Sequence, residues 1–155
     1  MIELSNLGRS FGPYTVVVTR EHVRDLATVL GERDPRYHEL EAARAAGLPD
    51  LPAPPTLATR YGLWANQALL AELAVIGAPL PRLLHGEQHY SYLAPLFASD
   101  TLTASPVIVG LERKHGQSGP FELLTLETRW HNQRDEVTIV DRLVVVVRGD
   151  DAAAS

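Results

Sequence analysis

The stretch "TLATRYGLWANQALLAELAV", residues 56–75, indicates which architecture the rest of the chain has to complete. Apolar residues such as Leu57, Trp64 and Leu69 recur through it so densely that the pattern is too apolar for a surface helix. We therefore predict one long, mostly buried helix over this stretch. A buried helix needs other secondary structure to cover it, so the flanking segments should supply that cover.

A strand and two short helices are predicted before the buried segment. Residues 14–18 are β-branched or aromatic and read as a strand. Thr19 is placed to cap a helix that ends at Gly31, and residues 39–47, "ELEAARAAG", form a second short helix. The run "LPDLPAPP", residues 48–55, holds four prolines, so we predict an extended connector that positions the buried segment.

Four strands are predicted after the buried segment. They cover residues 83–93, 101–113, 121–130 and 137–148. Polar breaks that contain Gly or Asn suit hairpin turns between the last three strands, which then form an antiparallel meander. We predict an α+β protein with the hot-dog fold, in which an antiparallel sheet wraps around a long central helix. Its edge strands are more stable when another subunit covers them, so we expect at least a dimer.

Length and composition predict a single domain over residues 1–149, followed by a small-residue tail at residues 150–155. Of the 155 residues, 45% are hydrophobic and 21% are charged, which is typical of globular proteins. The sequence contains no Cys, and this excludes a disulfide framework, a thiolate metal site and a Cys nucleophile.

Charge and hydropathy narrow the range of partners. The net charge is -5 and the basic residues are scattered, so we expect no nucleic-acid partner. No apolar run approaches the roughly 20 residues that a helix needs to cross a bilayer, and the first residues lack the pattern of a leader peptide. We therefore expect a cytoplasmic protein with no membrane partner.

Three segments resemble the MaoC-like (R)-specific hydratases and dehydratases, which act on acyl thioesters. They are "GERDPRYHELEAARAAG" at 31–47, "APPTL" at 53–57 and "LHGEQHYSYLAPLFASDTL" at 84–102, and the third is the most specific. The combination is most similar to the branch in which an N-terminal domain or a small subunit pairs with a catalytic partner, as in (3R)-hydroxyacyl-ACP dehydratases. The resemblance implies a hot-dog fold, an acyl-CoA or acyl-ACP ligand and no cofactor.

The loop at the start of the first segment departs from the family pattern. In active members it reads G-D-x-N-P-x-H, and its Asp and His activate the water that adds across a C2=C3 bond. Here Glu32 stands at the Asp position and Tyr37 at the His position. A phenol with a pKa of about 10 is a poor base near neutral pH. His38 follows one residue later, although adjacent side chains usually point to different faces.

The segment "APPTL" departs from the family pattern as well. Active hydratases have A-H-G-x-L there, and the backbone N–H of the Gly donates to the thioester carbonyl as the enolate develops. The resemblance makes Pro55 and Thr56 candidate substrate-binding residues, but a proline has no N–H. Loss of one oxyanion donor typically costs about 3 kcal/mol of transition-state stabilisation. Pro55 also suits the first position of a helix.

The histidines of the third segment allow more than one interpretation. His85, Glu87 and His89 alternate along a predicted strand, so they should share one face of the sheet. Such a set is able to bind a metal, but polar packing is commoner and we expect no metal site. The resemblance implies instead that His85 and Glu87 contact the pantetheine arm of the substrate or the partner subunit.

These departures predict a non-catalytic subunit that shapes the acyl pocket of an (R)-3-hydroxyacyl-thioester dehydratase. The apolar side chains of residues 56–75 either form core or line an acyl channel. The expected assembly is a homodimer or a heterodimer with a catalytic MaoC-like subunit. Three alternatives stay open: a homodimeric (R)-specific enoyl-CoA hydratase that uses Glu32 or His38, a hot-dog thioesterase, and a module that binds acyl thioesters without turnover.

Overall fold

The computed structural model describes residues 1–117 and 119–149; the predicted tail at residues 150–155 lies outside them. Its strands and α-helices follow the predicted order, with the α-helical segments ahead of the four long strands. They are β1 (Tyr14–Val17), α1 (Arg20–Leu30), α2 (Leu40–Ala45), α3 (Gln67–Val75), β2 (Leu83–Tyr92), β3 (Thr101–Gly116), β4 (Gly119–His131) and β5 (Val137–Arg148).

The five strands form one antiparallel sheet in the order β1-β3-β4-β5-β2. Strands β3, β4 and β5 are consecutive neighbours, which confirms the predicted meander. Strand β2 pairs with β5 at one edge, and the short β1 pairs with β3 at the other. The α+β hot-dog architecture is therefore confirmed.

The predicted long helix over residues 56–75 is interrupted. Two 3-10 turns, Pro55–Tyr61 and Leu63–Ala65, precede α3, and Gly62 between them is extended. The Asn66 side chain accepts a hydrogen bond of 3.0 Å from the Leu69 N–H and so begins α3 as its N-cap. The prediction of one continuous helix was wrong because a capping residue and an extended glycine outweigh the apolar pattern.

Helix α1 begins and ends where the sequence predicts. The Thr19 hydroxyl accepts a hydrogen bond of 3.1 Å from the His22 N–H. Gly31 ends the helix in the left-handed region, with a φ of 72°. The proline-rich connector is then anchored by Asp50, whose carboxylate accepts two hydrogen bonds, of 2.9 and 2.8 Å, from the Arg20 guanidinium. This ion pair holds the pKa of Asp50 below its usual value.

The core consists of two clusters of buried side chains. In the first, α3 packs on β4 and β5, with members that include Leu69, Leu73, Leu124, Leu143 and Val145. The second surrounds the connector and includes Val18, Leu51, Leu57, Leu102 and Ile139. Within the part of the chain that the structure describes, no helix has the length and apolar character that a membrane span requires.

Candidate functional site

A cavity of about 470 Å³ lies between the inward face of the sheet and residues 60–69, where the two core clusters meet. This volume is typical of small-molecule sites. Its lining is largely apolar and includes Val16, Leu63, Leu69, Leu126 and Leu143. Tyr14, also in the lining, donates a hydrogen bond of 2.6 Å to Glu72 and ties β1 to α3. Because the helix is interrupted, residues 60–69 form one wall of the cavity and do not fill the space against the sheet.

A buried acid, Asp141, stands in this apolar wall. Inward side chains alternate along β5, and Asp141 lies between the buried Ile139 and Leu143 with only 4% of its surface exposed. Burial raises the pKa of Asp141 to about 6, although a hydrogen bond from Gln88 opposes the shift. A carboxyl group with such a pKa changes its charge near neutral pH.

The Gln88 amide connects Asp141 to the edge strand. Its Nε2 donates to Asp141 Oδ1, which leaves Oε1 as the acceptor for His85 Nε2 at 3.1 Å. Since an amide oxygen only accepts, the proton of this bond belongs to His85. His85 is exposed and lies beside Trp64, with 6.2 Å between the ring centroids. A chain of hydrogen bonds thus runs from an exposed imidazole to the buried acid.

Two further polar side chains lie in the same wall. Thr128 is the cross-strand partner of Asp141 and is 7% exposed. Trp130 is 4% exposed, and its indole Nε1 finds no hydrogen-bond partner among the described residues. The sequence interpretation missed Asp141, Thr128 and Trp130. Of the three, Asp141 could have been found from the sequence, because it is the one acid on the inward face of a strand otherwise lined by Ile, Leu and Val.

The predicted loop residues are engaged within their own loop. The Glu32 carboxylate accepts hydrogen bonds from the Arg33 N–H at 2.8 Å and from the Asp34 N–H at 2.9 Å. His38 Nε2 donates to the Glu32 carbonyl oxygen at 2.8 Å. Tyr37 is half-buried and packs against the second core cluster. The structure brings Glu32 and His38 together, but neither they nor Tyr37 line the 470 Å³ cavity.

The candidate substrate-binding pair, Pro55 and Thr56, lies outside that cavity too. Pro55 is the first residue of a 3-10 turn, and its carbonyl oxygen accepts a hydrogen bond of 2.6 Å from the Tyr92 hydroxyl. Thr56 is exposed and lines a separate groove beside α1, together with Val29 and Arg60. Pro55 therefore offers no N–H to a ligand, and its carbonyl oxygen already accepts one hydrogen bond within the protein.

The prediction that His85, Glu87 and His89 share one face was wrong for His85, whereas Glu87 and His89 do share a face. A β-bulge between His85 and Glu87 shifts the register and ends the simple alternation. His85 consequently lies with Gln88, whereas Glu87 and His89 contact each other at 3.4 Å, and both are well exposed. A Cβ on Gly86 would lie 2.8 Å from the Val144 carbonyl oxygen, so the bulge requires glycine. In residues 1–117 and 119–149, no three His or acidic side chains form a cluster suited to a metal ion.

Comparison with known proteins gives the family. The model of the family described as "FAS1-like, dehydratase domain region" matches residues 5–141. A UPF0336 protein of Leifsonia xyli is 32% identical over 145 residues, which are 93% of this chain and 94% of the relative.

Two solved structures share the fold. A chain of the C-terminally truncated HadBC (3R-hydroxyacyl-ACP dehydratase) complex of Mycobacterium tuberculosis is 20% identical, with a TM-score of 0.75 over 91% of this chain and 96% of that one. The MaoC-like dehydratase of Rhodospirillum rubrum is 21% identical, with a TM-score of 0.65 over 91% of each chain. The resemblance to the MaoC-like dehydratases is confirmed, and the chain belongs to the FAS1-like dehydratase domain region family.

Proposed function

We propose that the chain is the non-catalytic subunit of an (R)-3-hydroxyacyl-thioester dehydratase and shapes the acyl pocket for a catalytic MaoC-like partner. The observation that carries the proposal is the loop geometry. Glu32 and His38, the two side chains best able to replace the family's acid and base, hydrogen bond within the loop and not into the cavity. Addition of water to an enoyl thioester needs an acid and a base within reach of the same small volume.

Pro55 supports the same conclusion. Stabilisation of an enolate oxygen requires preorganised donors, and the residue at the family's donor position has no N–H. Its carbonyl oxygen is bound by the Tyr92 hydroxyl, which fixes the turn in this arrangement. A fixed turn without a donor suits a subunit that holds the acyl chain and leaves the chemistry to another subunit.

The cavity supports the role in shaping a pocket. An acyl chain requires an apolar space, and the cavity of about 470 Å³ between the sheet and residues 60–69 offers one. Because Gly62 and Asn66 break the helix there, the apolar side chains around them line a space in addition to forming core. We propose an acyl-CoA or acyl-ACP thioester as the ligand.

The edge strand β2 supports a partner subunit. It is ten residues long, it pairs with β5 on one side, and it ends in the exposed aromatic Tyr92 followed by the exposed Leu93. A long edge strand with exposed apolar side chains is stabilised when a second chain covers it. A catalytic MaoC-like subunit of the same fold is the proposed occupant, as a heterodimer, and a homodimer is the alternative.

The experiment reconstitutes the enzyme from two purified subunits. This chain is assayed for crotonyl-CoA hydration alone and after mixing with a MaoC-like subunit that keeps the intact G-D-x-N-P-x-H loop. We expect no hydration above background alone, a stable complex by size-exclusion chromatography, and a change in the partner's rate or acyl-length preference. Absence of both association and a change in rate would refute the proposal.

The alternative functions give different results in the same assay. A homodimeric hydratase turns over crotonyl-CoA alone and loses that activity in Glu32→Gln or His38→Ala. A thioesterase releases free thiol from acyl-CoA. A binding module saturates with acyl-CoA and gives no product whether or not a partner is present.

A further inference from the structure

We propose that Asp141, Thr128 and Trp130 form a site that binds a hydroxyl group on an otherwise aliphatic ligand inside the cavity. We call these three residues the polar patch. The inference rests on the proposed function in one respect, because it takes the ligand to be an acyl chain. The hydroxyl group that it adds lies along that chain, inside the cavity, and is distinct from the C3 hydroxyl on which a dehydratase acts, since the loop residues 32–38 and Pro55 do not line the cavity. The patch itself is defined by burial, register and hydrogen-bonding capacity.

Asp141 is the first argument for the polar patch. A carboxyl group in an apolar wall is unfavourable unless hydrogen-bond donors reach it. Within residues 1–117 and 119–149 no ion pair reaches Asp141, and the Gln88 amide is the side chain that donates to it. A carboxyl group has two oxygens with about four acceptor positions, so capacity remains for a ligand.

Trp130 is the second argument. Its indole N–H is buried and has no hydrogen-bond acceptor among the described residues. Leaving a buried donor unpaired costs about 1–3 kcal/mol, so native proteins rarely retain one without a reason. Trp130 lines the same cavity as Asp141, and a bound oxygen atom would supply the missing acceptor.

Register brings the members of the patch together. Thr128 on β4 lies opposite Asp141 on β5, and Trp130 is the next inward residue along β4. Because neighbouring inward positions on paired strands are within about 5–8 Å, one small group is able to contact all three residues. Leu126 and Leu143 continue the wall on the other side of Thr128 and Asp141, and they suit the aliphatic part of the ligand.

The chemistry of the patch selects a hydroxyl group. An indole N–H donates, a carboxylate accepts, and a Thr hydroxyl does both. A ligand hydroxyl, which donates and accepts at once, satisfies Trp130 and Asp141 together. A plain methylene leaves the Trp130 N–H unpaired and offers Asp141 no second donor, and an anionic group is repelled by the charge of Asp141.

The test measures binding of soluble acyl-thioester mimics. N-acetylcysteamine thioesters of octanoic acid that carry no hydroxyl, or one hydroxyl at C5 or C7, are titrated into the protein. The C3-hydroxy thioester is the substrate-like control, and 1-octanol and octanoate are probes that lack the thioester. Trp64→Phe serves as the background, because Trp130 is then the single tryptophan and its fluorescence reports on the cavity. The variants are Asp141→Leu and Asp141→Asn, and Glu112→Gln, an exposed acid on β3, is the matched control.

We expect the C5- or the C7-hydroxy thioester to bind about tenfold more tightly than the plain octanoyl thioester, with a change in Trp130 fluorescence. Asp141→Leu should abolish this preference, and Glu112→Gln should keep it. Asp141→Asn preserves the side-chain shape and, if Asp141→Leu does not fold, should reduce the preference in its place.

The outcomes separate this inference from the proposed function. If all thioesters bind equally and the Asp141 variants change nothing, the polar patch is not a hydroxyl site, while the proposed function stands. If 1-octanol binds in an Asp141-dependent way and no thioester binds, the hydroxyl site stands and the proposed function fails. If no probe binds the parent protein, the inference is overturned.

Discussion

The side-chain amide of Gln88 donates a hydrogen bond to the carboxyl group of Asp141 and so connects the edge strand β2 to a buried acid on β5. The bulge at Gly86 places His85 on the same side of the strand as Gln88, so the His85 imidazole hydrogen bonds to the same amide. A displacement of β2, for example on binding of a partner subunit, would therefore be transmitted to Asp141 in the cavity wall through the hydrogen bond from Gln88.

The charge of Asp141 should be visible in the pH dependence of stability. Its pKa is raised to about 6 in the folded protein, above its usual value of 3.8, so the folded state binds the proton more tightly than the unfolded state. The contribution of Asp141 to the unfolding free energy is thus favourable at low pH and is lost as the pH rises through about 6. Relative to the parent, Asp141→Asn should gain roughly 2–3 kcal/mol in unfolding free energy between pH 4 and pH 7.

Urea unfolding of both proteins at several pH values checks this prediction. The difference between them isolates Asp141, because acids such as Asp50 and Glu127 have lowered pKa values and contribute with the opposite sign in both proteins. A difference that does not vary with pH would show that Asp141 is ionised normally.

Gly86 should not tolerate a side chain. A Cβ there would lie 2.8 Å from the Val144 carbonyl oxygen, so Gly86→Ala should lower the unfolding free energy by about 1–3 kcal/mol. Gly62→Ala is the matched control, since a Cβ at Gly62 would lie 3.6 Å from the nearest atom outside its neighbours. Chemical denaturation measures both, and equal stabilities would contradict the assigned role of the bulge.

The Arg20–Asp50 pair should contribute more to stability than a surface ion pair. Asp50 is buried and also accepts hydrogen bonds from the Leu51 N–H and the Ser99 hydroxyl, so Asp50→Ala leaves several donors unpaired. We expect a loss of about 2–3 kcal/mol. Arg134→Ala, which removes an exposed pair with Glu136, should cost less than about 1 kcal/mol. Similar losses in thermal or urea unfolding would show that the connector is not anchored through Asp50.

The sequence predicted most of the fold, and the errors have local causes. A long run of β-branched residues strongly favours a strand, and β5 was predicted at its observed bounds, Val137–Arg148. Periodicity missed the break before α3, because Gly62 and Asn66 act through backbone angle and capping. Alternation misassigned His85 because it assumes an unbroken strand, and Gly86 was the available warning.

The site was harder to predict than the fold. The family resemblance predicted a site at Glu32, Tyr37 and His38. The Glu32 and His38 side chains form hydrogen bonds within their own loop, and Tyr37 packs against the core. The polar patch depends on pairing between β4 and β5, and only the sheet register brings Thr128 opposite Asp141. A single acid in an apolar strand is visible in the sequence, but the residues that lie beside it on the paired strand are not.

The kcat/KM of the reconstituted complex for enoyl-thioester hydration shows whether this chain takes part in the chemistry. Glu32→Gln and His38→Ala are made in this chain, and the loop Asp of the catalytic partner is changed to Asn for comparison. A non-catalytic role predicts that the two variants of this chain stay within about twofold of the parent, while the change in the partner lowers the rate by about a hundredfold or more. A large loss in Glu32→Gln or His38→Ala, with the complex still assembled, would show that this chain is catalytic.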